Sequence, residues 1–319
     1  MPQRVAILGT RYPDFSIEEG ILGVQGVEIV SGPGSTPDEI AELAGDAAVI
    51  IAGSAPGFTR EVLGRLRQCR AIVRSGIGVD SVDLVAAAES GFWVINVPDY
   101  GTEAVAQHAL AMVLAGSRRL NDADRIVKDG GWGFSELRPL HLPGAMTAGI
   151  VGFGRIGRRV AELMSAVGFG RVLVCDPLSP PEVAVVPLER LLTESDVVSL
   201  HAPPPAGEQP LLGAGQLSRM KPGSILVNTS RGALIDHRAL AVALAAGAPR
   251  LAALDVFQPE PPDLAVLEPV RDRLLLSPHM AWYTEQSEAS LRRQAAEEAL
   301  RILRGSAPLN RVVEPQETA

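Results

Sequence analysis

Gly149-Ile150-Val151-Gly152-Phe153-Gly154-Arg155-Ile156-Gly157, followed by Asp176 at the close of the next apolar run, decides how this chain folds. Residues 148–151 are apolar and predict a buried strand. Gly152, Gly154 and Gly157 have the G-x-G-x-x-G spacing, and residues 155–167 predict a helix. Val172-Leu173-Val174-Cys175 predicts a second strand, which Asp176 ends. Strand, glycine turn, helix, strand and acid in that order form a dinucleotide-binding fingerprint. The glycines allow a tight turn and bring backbone close to a pyrophosphate, and the helix N-terminus offers N–H donors and partial positive charge. Asp176 can accept hydrogen bonds from both ribose hydroxyls. A 2′-phosphate would meet a like charge there, so NAD is expected rather than NADP. Pro177 stands where an NADP site often carries Arg, and Arg158 and Arg159 are expected on the exposed face of the helix. A glycine-rich turn can also bind nothing; the ordered context is what argues for a nucleotide.

The chain has 319 residues, enough for two domains. Hydrophobic residues make up 46% and charged residues 21%, as in soluble globular proteins. No run of about 18 or more apolar residues lacks a charge or a breaker, so no membrane span is expected. Met1-Pro2-Gln3-Arg4-Val5 leads into a strand without the apolar core of a signal peptide. Cys69 and Cys175 have neither metal spacing nor a disulfide framework, and Cys175 reads as a small core residue. A reducing, cytoplasmic setting is therefore expected. The net charge of −8 argues against direct nucleic-acid binding. Lys128 and Lys221 are the only lysines, so a single surface Arg says little about function in so Arg-biased a chain.

Working outward from the glycine turn, strands alternate with helices on both sides. Upstream, residues 5–8, 27–30, 48–52, 71–74 and 93–96 predict strands. Thr36-Pro37 opens a helix to about residue 43, Thr59 opens another, and residues 82–90 predict a third. Such alternation implies a parallel sheet. Residues 102–130 are helical, and Ala104, Ala106, Ala109, Leu110, Ala111, Val113 and Leu114 make that stretch apolar on most sides, hence buried. Downstream, residues 196–200, 224–228, 250–254 and 273–276 predict four further strands, completing a six-stranded doubly wound sheet. A terminal helix is expected over 285–303 with Arg and Glu on its outer face, and the last dozen residues are expected to be loosely ordered.

Ligands of a doubly wound sheet sit beyond the carboxyl ends of its strands. Just past three successive predicted strands come Arg231, then Glu260 by way of Asp255, and His279. A guanidinium fork suits a carboxylate and its adjacent carbonyl. An imidazole can protonate the oxygen of a carbonyl that is being reduced, and take the proton back in reverse. Glu260 bonded to the far ring nitrogen would fix the tautomer and favour the imidazolium form. Taken singly, the Arg could be a capping residue, the His structural and the Glu a solvated loop acid; their adjacency argues for a site. His201 also follows a strand and is the rival base, read here as cofactor-adjacent or structural. His108, on the apolar helix, reads as buried or interfacial, and His141 and His237 as loop and surface residues. No cluster has metal-ligand spacing, so no metal is expected.

At this point the chain resembles the D-isomer-specific 2-hydroxyacid dehydrogenase family over nearly its whole length. The resemblance lies in Arg74-Ser75-Gly76-Ile77-Gly78-Val79-Asp80, Asn96-Val97-Pro98, the glycine turn, Asn228-Thr229-Ser230-Arg231-Gly232, Asp255-Val256-Phe257 with Glu260-Pro261, and Ser277-Pro278-His279. Within the family, residues 279–286 resemble the C-terminal-binding-protein branch of NAD(H)-binding corepressors and bacterial enzymes. The resemblance implies an α/β protein of two lobes: a Rossmann-like doubly wound NAD-binding domain over 100–285, and a discontinuous flavodoxin-like substrate domain over 1–99 and 286–319, with the cofactor in the cleft. It implies Arg231, Glu260 and His279 as catalytic residues. Cofactor contacts are implied at Gly152, Gly154, Arg155, Ile156, Gly157, Asp176, His201, Ala202, Pro203, Thr229, Ser230, Asp255, His279 and Ala281. Substrate contacts are implied at Arg74, Gly76, Ile77, Gly78, Arg231, His279 and Trp282. Trp282 and Tyr283 could wall the pocket or pack the hinge. The stretch from His201 to Gly207, with Pro203-Pro204-Pro205-Ala206, replaces the family's usual polar loop, and Asp236-His237 stands where Asp-Glu is common.

The expected activity is NAD-dependent reduction of a small 2-oxo acid to a D-2-hydroxy acid by a homodimer. The alternatives are an NAD(H)-sensing, corepressor-like interaction protein, and a formate- or phosphite-type dehydrogenase of the same fold.

Overall fold

The computed structural model describes residues 3–10, 12–204, 207 and 209–315. Met1 and Pro2 of the N-terminal reading, and Pro205 and Ala206 of the proline loop, lie outside the described residues. Contacts divide the chain into two units, Met1–Gly101 with Thr284–Ala319, and Thr102–Tyr283.

The first unit holds β1 (Arg4–Leu8), β2 (Glu28–Gly32), β3 (Val49–Ala52), β4 (Ala71–Arg74), β5 (Trp93–Ile95) and β12 (Arg311–Val313). Their order in the sheet is β2-β1-β3-β4-β5-β12. The first five are parallel and β12 runs antiparallel to β5. β3 and β4 are buried along their whole length, which is why they read as unbroken apolar runs. The helices are α1 (Ser16–Leu22), α2 (Pro37–Ala44), α3 (Arg60–Leu63), α4 (Leu84–Glu89) and α11 (Glu285–Leu303). Thr36 Oγ1 accepts the Glu39 N–H with Pro37 at the first helical position, as the sequence led us to expect. The predicted 82–90 helix is shorter. Asp83 caps it at the Ala86 N–H, and Val82 instead forms a parallel bridge with Phe58.

Two expectations are corrected at the C-terminus. Arg292 and Glu298 of α11 are buried rather than on an outer face. Arg292 donates through Nε and Nη2 to both oxygens of buried Glu18, at 2.9 and 2.7 Å, and its guanidinium lies 4.6 Å from the Tyr12 ring centre. The Glu298 carboxylate accepts the Leu309 N–H at 3.1 Å. Of the tail, expected to be loose, Arg311–Val313 forms β12 instead, because the edge of β5 carries backbone groups that need partners, and residues 316–319 lie outside the described residues.

The second unit holds β6 (Thr147–Val151), β7 (Arg171–Cys175), β8 (Val197–Leu200), β9 (Ile225–Asn228), β10 (Leu251–Leu254) and β11 (Leu274–Leu276). All six are parallel, in the order β7-β6-β8-β9-β10-β11. A single parallel bridge, Val174 to Val185, extends the sheet beyond β7. The helices are α5 (Thr102–Ser117), α6 (Leu120–Lys128), α7 (Arg155–Ala166), α8 (Leu188–Glu194), α9 (Ala214–Leu217) and α10 (His237–Ala246). On one face α5 and α7 bury Ala109, Val113, Val160 and Met164 against Ile150, Val197 and Ile225. On the other, Leu191, Leu217, Leu240 and Leu244 cover Val198, Leu226 and Leu254. A Cβ at Gly116 would stand 2.8 Å from Leu251 Cδ2, so its glycine lets α5 lie close against the sheet. Because the strands are parallel, the residues that follow β6 to β11 all emerge at one edge. Among the described residues, no helix is long and apolar enough to cross a membrane, and no group of three or more His, Cys, Asp or Glu could hold a metal ion.

Candidate active site

The glycine turn is built from three different constraints. Gly152 has φ +90°, and a Cβ on it would stand 2.5 Å from the His201 carbonyl carbon. A Cβ on Gly157 would stand 2.0 Å from the Gly152 oxygen, so this glycine lets α7 press onto the turn. Gly154, the N-cap of α7, differs: its Cβ direction meets nothing within 4 Å among the described residues, and it brings no side chain to cap its own helix. That open approach to a helix N-terminus fits a pyrophosphate. Asp176 is tied to the turn, its Oδ2 accepting the Phe153 N–H at 2.5 Å and its Oδ1 the Leu178 N–H at 2.7 Å. A second fit lies at Thr229, just past β9. Its buried hydroxyl has no hydrogen-bond partner among the described residues, as a group awaiting a ligand would. Arg158 is exposed as expected, whereas Arg159 is half-buried and pairs with Glu103 of α5 at 2.6 Å.

The other strand ends differ in what they offer. His201, after β8, is half-buried, with Nε2 2.8 Å from Ser199 Oγ. Burial pushes its pKa down to about 3, so the ring is neutral and unsuited to trade protons with a substrate. Ala202 is half-buried and Pro203 exposed. After β9, the Ser230 hydroxyl donates to the Leu200 carbonyl at 2.7 Å and so ties this loop to β8. Arg231 is extended, with its carbonyl held by Asn228 Nδ2 at 2.8 Å and its Nη1 donating to the Ser230 carbonyl at 2.8 Å. A Cβ on Gly232 would stand 2.0 Å from the Phe257 carbonyl carbon. The glycine therefore lets the Arg231 loop lie directly on the strand-end loop that leads to Glu260.

Glu260 and His279 meet. His279 Nδ1 donates to Glu260 Oε2 at 2.7 Å, and Glu260 Oε1 accepts the Phe257 N–H at 2.9 Å. His279 Nε2 has no hydrogen-bond partner among the described residues. Both side chains stay accessible, at 44% and 35%, so solvent or a ligand can reach the free ring nitrogen. His279 has φ +52°, unusual for a residue with a side chain. Its N–H donates to the Asp255 carbonyl at 2.7 Å, and the buried Asp255 carboxylate accepts the N–H groups of Met280 and Ala281 at 2.9 Å each. Trp282 and Tyr283 follow, their rings edge to face with centres 5.8 Å apart.

In the first unit, the Gly76 turn is shaped by Arg74, whose buried Nη1 donates to the Ala52 and Ser75 carbonyls at 3.1 and 2.7 Å. Asn96 Nδ2 holds the Ile77 carbonyl at 2.8 Å and the Val97 N–H holds that of Gly76. Gly78 continues the same turn.

Three residues here stand apart from what the sequence pattern suggests. His237, read as a surface residue, opens α10 half-buried with its ring 6.0 Å from Phe257, and burial lowers its pKa. Cys175 is half-buried at the end of β7, packed against the edge of the core rather than within it. His108 Nε2 lies 3.0 Å from Ser277 Oγ. No pattern joins those two, because they are 169 residues apart in the chain.

Known proteins resemble this chain in sequence and fold. The model described as "D-isomer specific 2-hydroxyacid dehydrogenase, NAD binding domain" matches residues 110–281. A glyoxylate reductase of Korarchaeum cryptofilum is 38% identical over 79% of this chain and 78% of its own length. A D-3-phosphoglycerate dehydrogenase of Methanocaldococcus jannaschii is 34% identical over 90% of this chain. The chain spans about half the length of the curated phosphoglycerate dehydrogenases it matches, 56% in that case. The D-lactate dehydrogenase of Aquifex aeolicus, solved with NAD and lactic acid, superposes with a TM-score of 0.85 at 26% identity over 98% of this chain and all of that one.

Proposed function

The chain belongs to the D-isomer-specific 2-hydroxyacid dehydrogenase family, with NAD as its cofactor, and from that premise we propose that it reduces a small 2-oxo acid to the D-2-hydroxy acid. The observation that supports this best is the 2.7 Å bond from His279 Nδ1 to Glu260 at the carboxyl edge of the NAD-binding sheet. With Nδ1 occupied as a donor, Nε2 is the ring atom left to serve the substrate. Bound NADH supplies the hydride that the carbonyl carbon takes up. His279 Nε2 delivers the proton to the carbonyl oxygen and recovers it in the oxidation direction. Glu260 keeps the ring oriented and fixes Nδ1 as the donor on its side. Arg231 engages the carboxylate and the carbonyl oxygen through its planar fork, which orients and polarises the bond. Gly152, Gly154, Gly157 and Thr229 hold the cofactor, and Asp176 takes the ribose hydroxyls.

We further infer a homodimer. Leu120, Trp132, Phe134 and Leu142 expose large apolar surface within a short span of the second unit, with Trp132 at 92%. Such a concentration of apolar side chains on one stretch is a feature of association surfaces.

The test of the activity is NADH consumption across a panel of 2-oxo acids, followed by the reverse assay on both hydroxy-acid enantiomers. Turnover with a 2-oxo acid and oxidation of the D form alone are expected. No turnover across the panel, or oxidation of the L form alone, contradicts the reading.

A further inference from the structure

We propose that His108 and Ser277 are positioning residues for His279: a directed hydrogen-bond chain, from His108 Nε2–H to Ser277 Oγ–H to Asp255 Oδ1, holds the turn that carries the proton donor. The functional part of this inference rests on the reading of His279 given above; the direction of the chain does not.

The turn is fastened to one fully buried residue. Asp255 Oδ1 accepts Ser277 Oγ–H at 2.5 Å and the Met280 N–H at 2.9 Å, while Oδ2 accepts the Ala281 N–H at 2.9 Å. The Asp255 carbonyl accepts the His279 N–H at 2.7 Å. Asp255 therefore grips the chain before His279, at it and after it. His279 needs that grip, because its φ of +52° lies in the left-handed region. A side-chain-bearing residue keeps that conformation only where its surroundings enforce it.

The direction of the chain follows from proton counting. A carboxylate only accepts, and a serine hydroxyl has one proton to give. With that proton on the bond to Asp255, Ser277 Oγ can only accept from His108 Nε2, 3.0 Å away. His108 Nε2 must then carry a proton. Its distance to Asp255 Oδ1 is 3.9 Å, too long for a direct hydrogen bond, so the serine is the link. His108 comes from α5, which packs on β9 and β10. The chain thus ties a packed helix to the sheet edge from which Arg231 and His279 emerge. If the Ser277 hydroxyl were released, Asp255 would lose one of its three carboxylate contacts, and the left-handed turn would be held upstream by the backbone bond from Ser277 N–H to the Leu254 carbonyl alone.

The experiment has one arm without cofactor and one with it. In long-range 1H–15N spectra of cofactor-free protein with 15N-labelled histidine at about pH 8.5, where an ordinary imidazole is neutral, the His108 proton is expected on Nε2. The difference spectrum of His108→Gln assigns the resonance. A proton on Nδ1 with Nε2 bare overturns the chain. In the loaded enzyme, His108→Leu and Ser277→Ala are each expected to lower kcat by about three- to tenfold, the range of one lost hydrogen bond, with a smaller change in NADH affinity. His108→Gln keeps an N–H donor and is expected to recover most of the loss. The double variant is expected to be no worse than Ser277→Ala alone, because both act through one link. Additive losses, a Gln variant no better than Leu, or wild-type kcat in His108→Leu overturns the positioning role. If Ser277→Ala does not fold, the wild-type spectrum and Ser277→Thr, which keeps the hydroxyl and should keep the His108 tautomer, decide the same question. If the wild type reduces no 2-oxo acid, the functional reading falls, while the spectrum still decides the hydrogen-bond chain.

Discussion

His201 and His279 follow strands of the same sheet and emerge at the same edge, yet their surroundings give them opposite chemistry. His201 is half-buried and held neutral, desolvation of its ring pushing its pKa down to about 3, whereas His279 is accessible and paired with Glu260. The His201 shift has a stability consequence with a definite sign. The unfolded imidazole titrates near its ordinary value of about 6.5, and the folded one far below it. The stability this group contributes is therefore fully present above about pH 6.5 and is lost as pH falls, by up to about 1.4 kcal/mol per pH unit. Urea unfolding of the wild type should show that acid slope and His201→Asn a shallower one; equal slopes would show that burial of His201 is not the cause. At Arg231, replacement by Lys keeps the charge and loses the fork. KM for the 2-oxo acid should rise by about tenfold or more, from loss of a charge-assisted bidentate contact, with NADH affinity little changed; an unaltered kcat/KM would remove Arg231 from substrate binding. The positions of Arg231, Glu260 and His279 at strand ends were readable because each stands just past an apolar run. The His108–Ser277 bond was not, since nothing local in either stretch points to the other.

Among the elements, the glycine turn was the most readable, because each glycine answers a local steric demand: a positive φ at Gly152, an open approach at Gly154, a close contact at Gly157. Helix α11 was half readable. Its length follows from the sequence, and Thr284 Oγ1 caps it by accepting the Ser287 N–H. Its inner face does not, because Arg292 and Glu298 look like surface residues in an Arg-biased chain. They are buried because α1 supplies Glu18 to one and the C-terminal segment supplies the Leu309 N–H to the other. Burial raises the Glu298 carboxyl pKa, and the Leu309 N–H and the charge of Arg301 offset only part of that shift. Arg292→Met would leave Glu18 buried and unpaired, which should cost about 3–5 kcal/mol of unfolding free energy. Adding Glu18→Leu should recover most of that loss, since apolar replacement of a whole buried pair is often nearly neutral. A single variant as stable as the wild type would show that the pair contributes packing alone.

At the scale of the molecule, the fold class was readable from the alternation of apolar runs with helical stretches, which dictates parallel strands and crossover helices. The strand orders β2-β1-β3-β4-β5-β12 and β7-β6-β8-β9-β10-β11 share the same arrangement of their first strands, as expected for two related windings. The antiparallel β12 was not readable, because three residues near a chain end carry too little pattern to announce a strand. Nor was the exposed apolar stretch of the second unit, since Trp132 and Phe134 in sequence could equally be core. The proposed homodimer predicts that the wild type sediments as a dimer and that Trp132→Ser/Phe134→Ser/Leu142→Ser shifts it toward monomer; unchanged sedimentation would place the interface elsewhere. The account as a whole depends on His279 as the proton donor at the edge of an NAD-binding sheet. The most direct measurement is kcat for 2-oxo acid reduction by His279→Ala beside an NADH titration of the same variant. The account predicts a loss of about two to four orders of magnitude in kcat with NADH still bound, and near-wild-type turnover would contradict it.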